Sequence, residues 1–260
     1  MKITTPFQVP IPAANTSVNT THYRAIPFDP KDRRSDEELV RIEEYGVAAK
    51  PYYHLQSGNP PYNTRIAGSL PEVWCRRSVA LKLASANFLL TDFDAELVVL
   101  DGYRPIGVQR GLWDHFSEVA RLEKPWASEE ELVASVLNHV SDPRRFDPDD
   151  PRTWPVHSTG GAVDVTLRSI RLKAPFDMGS GFDEMNAAAA SDFFERQLEN
   201  GEIPADFAPL RNRRLLHWAM KACGFTNFDQ EYWHFDWGNQ LHALTNDLDA
   251  AWYGYVELPG

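Results

Sequence analysis

A chain of 260 residues with 43% hydrophobic and 12% aromatic content can bury one sizeable core, so a single domain over 1–260 is expected, with no partner needed to fold it. The net charge of −11, from 37 acidic against 26 basic side chains and with no basic stripe interleaved with aromatics, speaks against nucleic acid as a ligand. Cys75 and Cys223 are too few for a disulfide framework, and no apolar run has the length of a signal or a bilayer span; two reduced core thiols in a soluble, cytoplasmic protein without a membrane partner are the expectation.

Residues 1–34, rich in Pro, Thr and Asn without period, should form an extended arm over the surface. Ser35, with Glu38 three residues later, reads as a capping box that opens a short helix through Glu44, ending near Gly46. The stretch 47–70, broken by Pro51, Gly58, Pro60, Pro61 and Gly68 and carrying tyrosines and a histidine, reads as a long aromatic loop, either a lid or, preferred, irregular surface. Pro71 suits a first turn, and Val73, Trp74, Ser78, Leu81, Ala84 and Phe88 keep helical spacing, which predicts a long core helix over 71–91. The apolar run Glu96–Asp101 predicts an internal strand. Arg104 then stands at a strand end, ahead of a helix over 105–122. A helix over 129–140 follows Ser128, and 141–155, rich in Pro and Asp, is a solvated connection. Beyond it come a strand over 161–167 with 170–172 pairing back, a glycine-punctuated loop over 175–183, and helices over 187–200 and 209–223 stopped by Gly201 and Gly224. A strand over Glu231–Trp237 and a short helix in the tail from Gly238 complete the reading.

The chemistry gathers at two of these places. His157 and Asp164, at a spacing of 164 − 157 = 7, flank a Gly160-Gly161 turn beside a β-branched strand. A lone histidine is more often a satisfied core residue than a ligand, but a carboxylate inside Ala-Val-Asp-Val-Thr-Leu is costly to bury unless paired or metal-bound. Glu231 and His234 by themselves could sit on an exposed edge, yet Trp233, Phe235 and Trp237 argue for a packed wall where a charged Glu needs a reason. Arg104 alone reads as an ion-pair partner. Together, His157, Asp164 and His234 supply three ligands with a fourth position left for water, and Glu231 supplies a base: the composition of a catalytic zinc site.

The set Asp101-Gly-Tyr-Arg104-Pro, His157-x-x-Gly160-x-x-x-Asp164, Met178-Gly-Ser-x-Phe-Asp183 and Glu231-x-Trp-His234 resembles the zinc D-alanyl-D-alanine dipeptidases of the vancomycin-resistance type, in order and in spacing, over roughly 70–240. The resemblance implies one zinc held by His157, Asp164 and His234, Glu231 as general base and acid, Arg104 stabilising the oxyanion, and Asp183 receiving the ammonium of a small peptide substrate, D-Ala-D-Ala or a relative of it. It also implies an α+β fold of the D,D-peptidase kind, with a central antiparallel sheet carrying the zinc and helices packed around it. From its residues alone, Asp183 reads equally well as the N-cap of a helix starting near Glu184. Pro155 stands where the family usually has a serine that touches substrate, and the 47–70 stretch replaces an aromatic Asn-Phe-x-Gly segment of the family; both departures fall on recognition rather than chemistry. Two alternatives accompany the dipeptidase reading: a D,D- or L,D-carboxypeptidase acting on muropeptides, and a metal-holding binding protein, against which the retention of Glu231 and Arg104 counts.

Overall fold

The computed structural model describes residues 8–14, 20–137, 140–184 and 186–258. In chain order the elements are strands β1 (Leu39–Arg41), β2 (Ala48–Ala49) and β3 (Trp74–Arg76), helix α1 (Arg77–Leu90), strand β4 (Ala95–Asp101), helices α2 (Ile106–Glu123) and α3 (Glu129–Val136), strand β5 (Ala162–Ser169), helices α4 (Phe193–Glu199) and α5 (Ala208–Ala222), strands β6 (Thr226–Asn227) and β7 (His234–Asp236), and helix α6 (Gln240–Thr245). Together they form the mixed α+β architecture expected. Five strands make the main sheet, in the order β2-β4-β5-β7-β6. Its centre is antiparallel as expected, while β2 joins β4 in parallel and makes one edge mixed. Leu97, Val98, Val99 and Leu100 on β4 and Ala162, Val163, Val165 and Leu167 on β5 are all buried, so both faces of these strands are covered, which accounts for near-continuous apolar runs in place of strict alternation. Helix α1 packs on β4 and on α5, burying Val79, Leu83, Ala86 and Leu90 at helical spacing.

Several expected elements are corrected. No helix follows Ser35, whose hydroxyl donates to the Pro30 carbonyl; Leu39–Arg41 instead pairs antiparallel with Trp74–Arg76, and Glu37 accepts from the backbone and hydroxyl of Ser78 at the start of α1. Burial of Val40 and Ile42 by that pairing overrides the capping-box pattern, although the 3-10 turn Ile42–Tyr45 does stop at Gly46 with φ 73°. The helix expected over 71–91 begins only at Arg77, because residues 74–76 are taken by the small sheet, and its apolar face is out of phase with the expected one: Leu81 and Phe88 are 52% and 77% exposed. The 47–70 stretch is not surface. Tyr52, Tyr53, Tyr62 and Ile66 are buried in the core, and the Asn59 amide ties the loop to the carbonyls of Tyr52 and Thr64 at 3.1 and 2.9 Å.

Helix α3 keeps the Ser128 capping box but is shorter than expected, with 138–139 outside the described residues, and 187–200 divides into the 3-10 turn Ala187–Ala189 and α4. The strand return falls on Pro175 opposite Arg168, not on 170–172. Of the segment Glu231–Trp237 only His234–Asp236 is strand, and Glu231 sits in the turn before it. Within the expected arm, residues 1–7 and 15–19 lie outside the described part; Ile11 donates its backbone N–H to Glu195 at 2.9 Å, and Thr20–Ala25 forms a 3-10 turn. Cys75 and Cys223 are free thiols, as expected. No described helix is long and apolar enough to cross a membrane.

Candidate metal centre and active-site pocket

Strand register brings three acidic or imidazole side chains into one row. β4 and β5 pair Asp101 with Asp164 across a bulge, and β5 and β7 pair Asp164 with His234. His157 enters from the 3-10 turn Val156–Thr159, which closes at Gly160 with φ 72° and sends the chain straight into β5. Glycine suits this position, because the backbone is left-handed and a Cβ would stand 2.5 Å from Leu39 Cδ2.

One ligand atom each from His157, Asp164 and His234 lies within 4.8 Å of the other two, and all three residues are buried. Hydrogen bonds behind them settle which atoms face inward. His157 Nδ1 donates to the Gly102 carbonyl at 2.9 Å, leaving its Nε2 as a lone pair; His234 Nε2 donates to Asp236 Oδ1 at 3.1 Å, which turns Nδ1 toward Asp164 Oδ1. His157 Nε2 and His234 Nδ1 stand 3.2 Å apart, with Asp164 oxygens 3.1 Å from His234 and 3.5 Å from His157. Acceptors gathered this closely require a positive charge between them, a proton or a metal ion. The titration shifts express the same demand. Burial, aided by Arg104, pushes His157 down to about 3, while on His234 burial is overridden by Asp236 and Asp164, which hold it well above its ordinary value.

The remaining predicted residues line the same cavity, of about 730 Å³. Glu231 Oε2 is 3.9 Å from His234 Nδ1, and burial lifts its carboxyl to about 7. Arg104 is clamped by Asp101 at 2.8 Å and Gln109 at 3.3 Å, and extends Nη2 toward Tyr53 Oη at 3.1 Å and Asp164 at 3.5 Å. Asp183 is not a helix cap: its φ is 56°, and the next turn, at Ala187, is capped by Asn186. Its Oδ2 accepts from both Tyr53 and Tyr62 at 2.8 Å, and burial, with Asp164 nearby, raises it to about 6. Burial above all holds both phenols well above their usual pKa, so they remain donors.

The sequence reading missed Tyr53 and Tyr62, Gln109 behind Arg104, and Asp236 behind His234, while the ion pair it read for Arg104 is the one with Asp101 of the same motif. Asp236 was within reach of a simple signal, since two residues along a strand return to the same face. The tyrosines carried no signal, because a loop without period does not say which way its side chains point.

A family model described as D-Ala-D-Ala dipeptidase matches residues 71–251. The chain belongs to this dipeptidase family. A D-alanyl-D-alanine dipeptidase of Synechocystis sp. is 31% identical over 249 residues, spanning 90% of this chain and 96% of the relative. The enzyme of that name from Escherichia coli is 30% identical over 54% of each chain. A vancomycin-resistance D,D-pentapeptidase from a VanB-type cassette, solved as a complex with Zn(II), shares 15% identity at a TM-score of 0.39, over 72% of this chain and 84% of that one. Arg104, His157, Asp164, Asp183, Glu231 and His234 all fall inside the span that the dipeptidase family model covers, while Tyr53 and Tyr62 lie before it.

Proposed function

We propose that the chain hydrolyses a free D,D-dipeptide, D-Ala-D-Ala or a near relative, at a single zinc ion held by His157, Asp164 and His234. The observation that carries this reading is the convergence of two buried imidazole nitrogens and a buried carboxylate that need a positive charge between them, beside a carboxylate, Glu231, that belongs to none of their hydrogen bonds. Two neutral imidazoles and one carboxylate are a donor set suited to zinc, and imidazoles whose outer N–H groups are already committed are the form in which they ligate. When bound, the ion polarises the scissile carbonyl and makes water nucleophilic near neutral pH.

The chain's own residues supply the rest. Glu231, with its carboxyl raised to about 7 by burial, takes a proton from water as oxygen bonds to the carbonyl carbon, and returns it to the amine as the C–N bond breaks. Arg104, held rigid by Asp101 and Gln109, presents its guanidinium to the negative charge that develops on the carbonyl oxygen. Asp183, fixed by two phenols, receives the substrate ammonium. A panel of D,D-, L,D- and L,L-dipeptides with free and N-acetylated ends, assayed with zinc analysis of the same preparation, tests the reading. Zinc-dependent cleavage of free D,D-dipeptides supports it. Equal cleavage of N-acetylated peptides would move the assignment to a carboxypeptidase, and bound zinc without any turnover would leave a binding protein.

A further inference from the structure

One wall of the cavity comes from outside the family match and carries a charge that the proposed chemistry leaves unused. The Thr20–Ala25 turn packs on α6 and on the 3-10 turn Pro151–Thr153, and its Tyr23 and Arg24 line the cavity that holds the metal donors. Arg24 is half-buried. Its guanidinium lies 4.9 Å from the centroid of the Tyr23 ring, and Nη1 donates to the Arg152 carbonyl at 3.0 Å. These contacts orient the side chain without neutralising it, and it pairs with no carboxylate among the described residues. The other cations on the cavity differ. Arg104 is bonded to Asp101 at 2.8 Å, while Arg152 and Arg145 approach Asp150 and Asp142 at 2.8 and 3.8 Å with side chains 77% and 87% exposed.

A dipeptide at neutral pH is a zwitterion. Asp183 offers a partner for its ammonium on the Tyr53–Tyr62 wall, whereas nothing assigned so far answers its carboxylate: Arg104, braced by Asp101, is assigned above to the carbonyl oxygen, and Pro155 and Val156 on the opposite flank of His157 have no side-chain donor. We propose that Arg24 binds the terminal carboxylate of the substrate, which makes this N-terminal turn the specificity wall for peptides with a free C-terminus. A guanidinium already braced by a ring and a carbonyl loses little freedom on binding, and its planar fork suits a carboxylate. The inference rests on the dipeptidase reading above.

The test compares kcat/KM of the zinc-loaded wild type and Arg24→Gln on D-Ala-D-Ala and on its C-terminal amide, with zinc content measured for both proteins. The wild type should prefer the acid. In Arg24→Gln the acid-to-amide ratio should fall about tenfold or more, the loss carried mainly by KM, and Arg24→Lys should restore part of it. Hydrolysis of the free dipeptide with an acid-to-amide ratio unchanged by Arg24→Gln would overturn this assignment alone. Absence of dipeptide hydrolysis in the zinc-loaded wild type would overturn it together with the proposed function.

Discussion

At the scale of single residues, Glu231 and Asp183 are two carboxylates in one cavity whose surroundings differ, and the proposed function gives them different tasks. Glu231 stands 3.9 Å from a ligand nitrogen and makes no bond to the outer N–H of either histidine, so its loss should not dismantle the ligand set. Glu231→Gln is expected to keep its zinc while kcat falls by about 10²–10⁴, the usual contribution of a positioned general base. If zinc content falls as far as in His234→Ala, Glu231 is a ligand instead. Asp183 is locked by two phenols at 2.8 Å, a geometry that leaves its other oxygen available to an ammonium. Free dipeptides should therefore be cleaved far faster than N-acetylated ones, and Asp183→Asn should shrink that preference with zinc retained. Equal cleavage of both peptide forms by the wild type would remove the ammonium role. That His157, Asp164, His234, Glu231 and Arg104 belong together was legible from residue type and spacing, and Asp183 joined them only through the family resemblance; the fold brings all six to one cavity. Tyr53 and Tyr62 were not legible, since their placement depends on a loop packed across 130 and 121 residues of sequence separation.

Elements show where local pattern prevails and where tertiary context overrides it. β4 and β5 were readable since buried apolar runs of strand length admit few other readings, and α2 since its apolar face has a clear period. The helix over 71–91 was read six residues too early and in the wrong phase, because Val73 and Trp74 suit either a helix face or a strand, and only pairing with β1 decides between them. The observed phase has a direct consequence. Leu83 is fully buried and Phe88 is 77% exposed, so Leu83→Ala should cost about 2–5 kcal/mol of stability whereas Phe88→Ala should stay within about 0.5 kcal/mol in denaturant titrations. Comparable losses in both would refute the phase. β7 carries a second consequence. His234 and Asp236 share a face, and Asp236 Oδ1, fully buried, accepts from both His234 at 3.1 Å and Asn239 at 2.6 Å. Asp236→Ala should weaken zinc binding by about 10- to 100-fold in a chelator competition, and an unchanged affinity would show that the imidazole needs no such support.

Across the whole molecule, the proposed ion joins parts of the chain that are far apart in sequence. Asp164 and His234 are 70 residues apart and His157 and His234 are 77 apart, yet all three meet where β5 runs beside β7. The general α+β class and the existence of such a centre could be read from the sequence; the order of the sheet could not, because β2, β6 and β7 have only two or three residues each and carry almost no periodic signal. A ligand that binds only the folded chain stabilises it by RT ln(1 + [L]/Kd), about 2.7 kcal/mol at a free concentration one hundred times Kd. The two histidines and the aspartate come together only when β5 and β7 pair, so the unfolded chain offers no matching site and most of that stabilisation should be realised. For a chain of 260 residues, Tm should rise by roughly 5–10 °C when zinc is added to chelator-treated protein, and His234→Ala should remove the rise. A Tm that stays constant in saturating zinc, or a rise that persists in His234→Ala, would mean that the ion is not held by the strands that form the centre of this sheet.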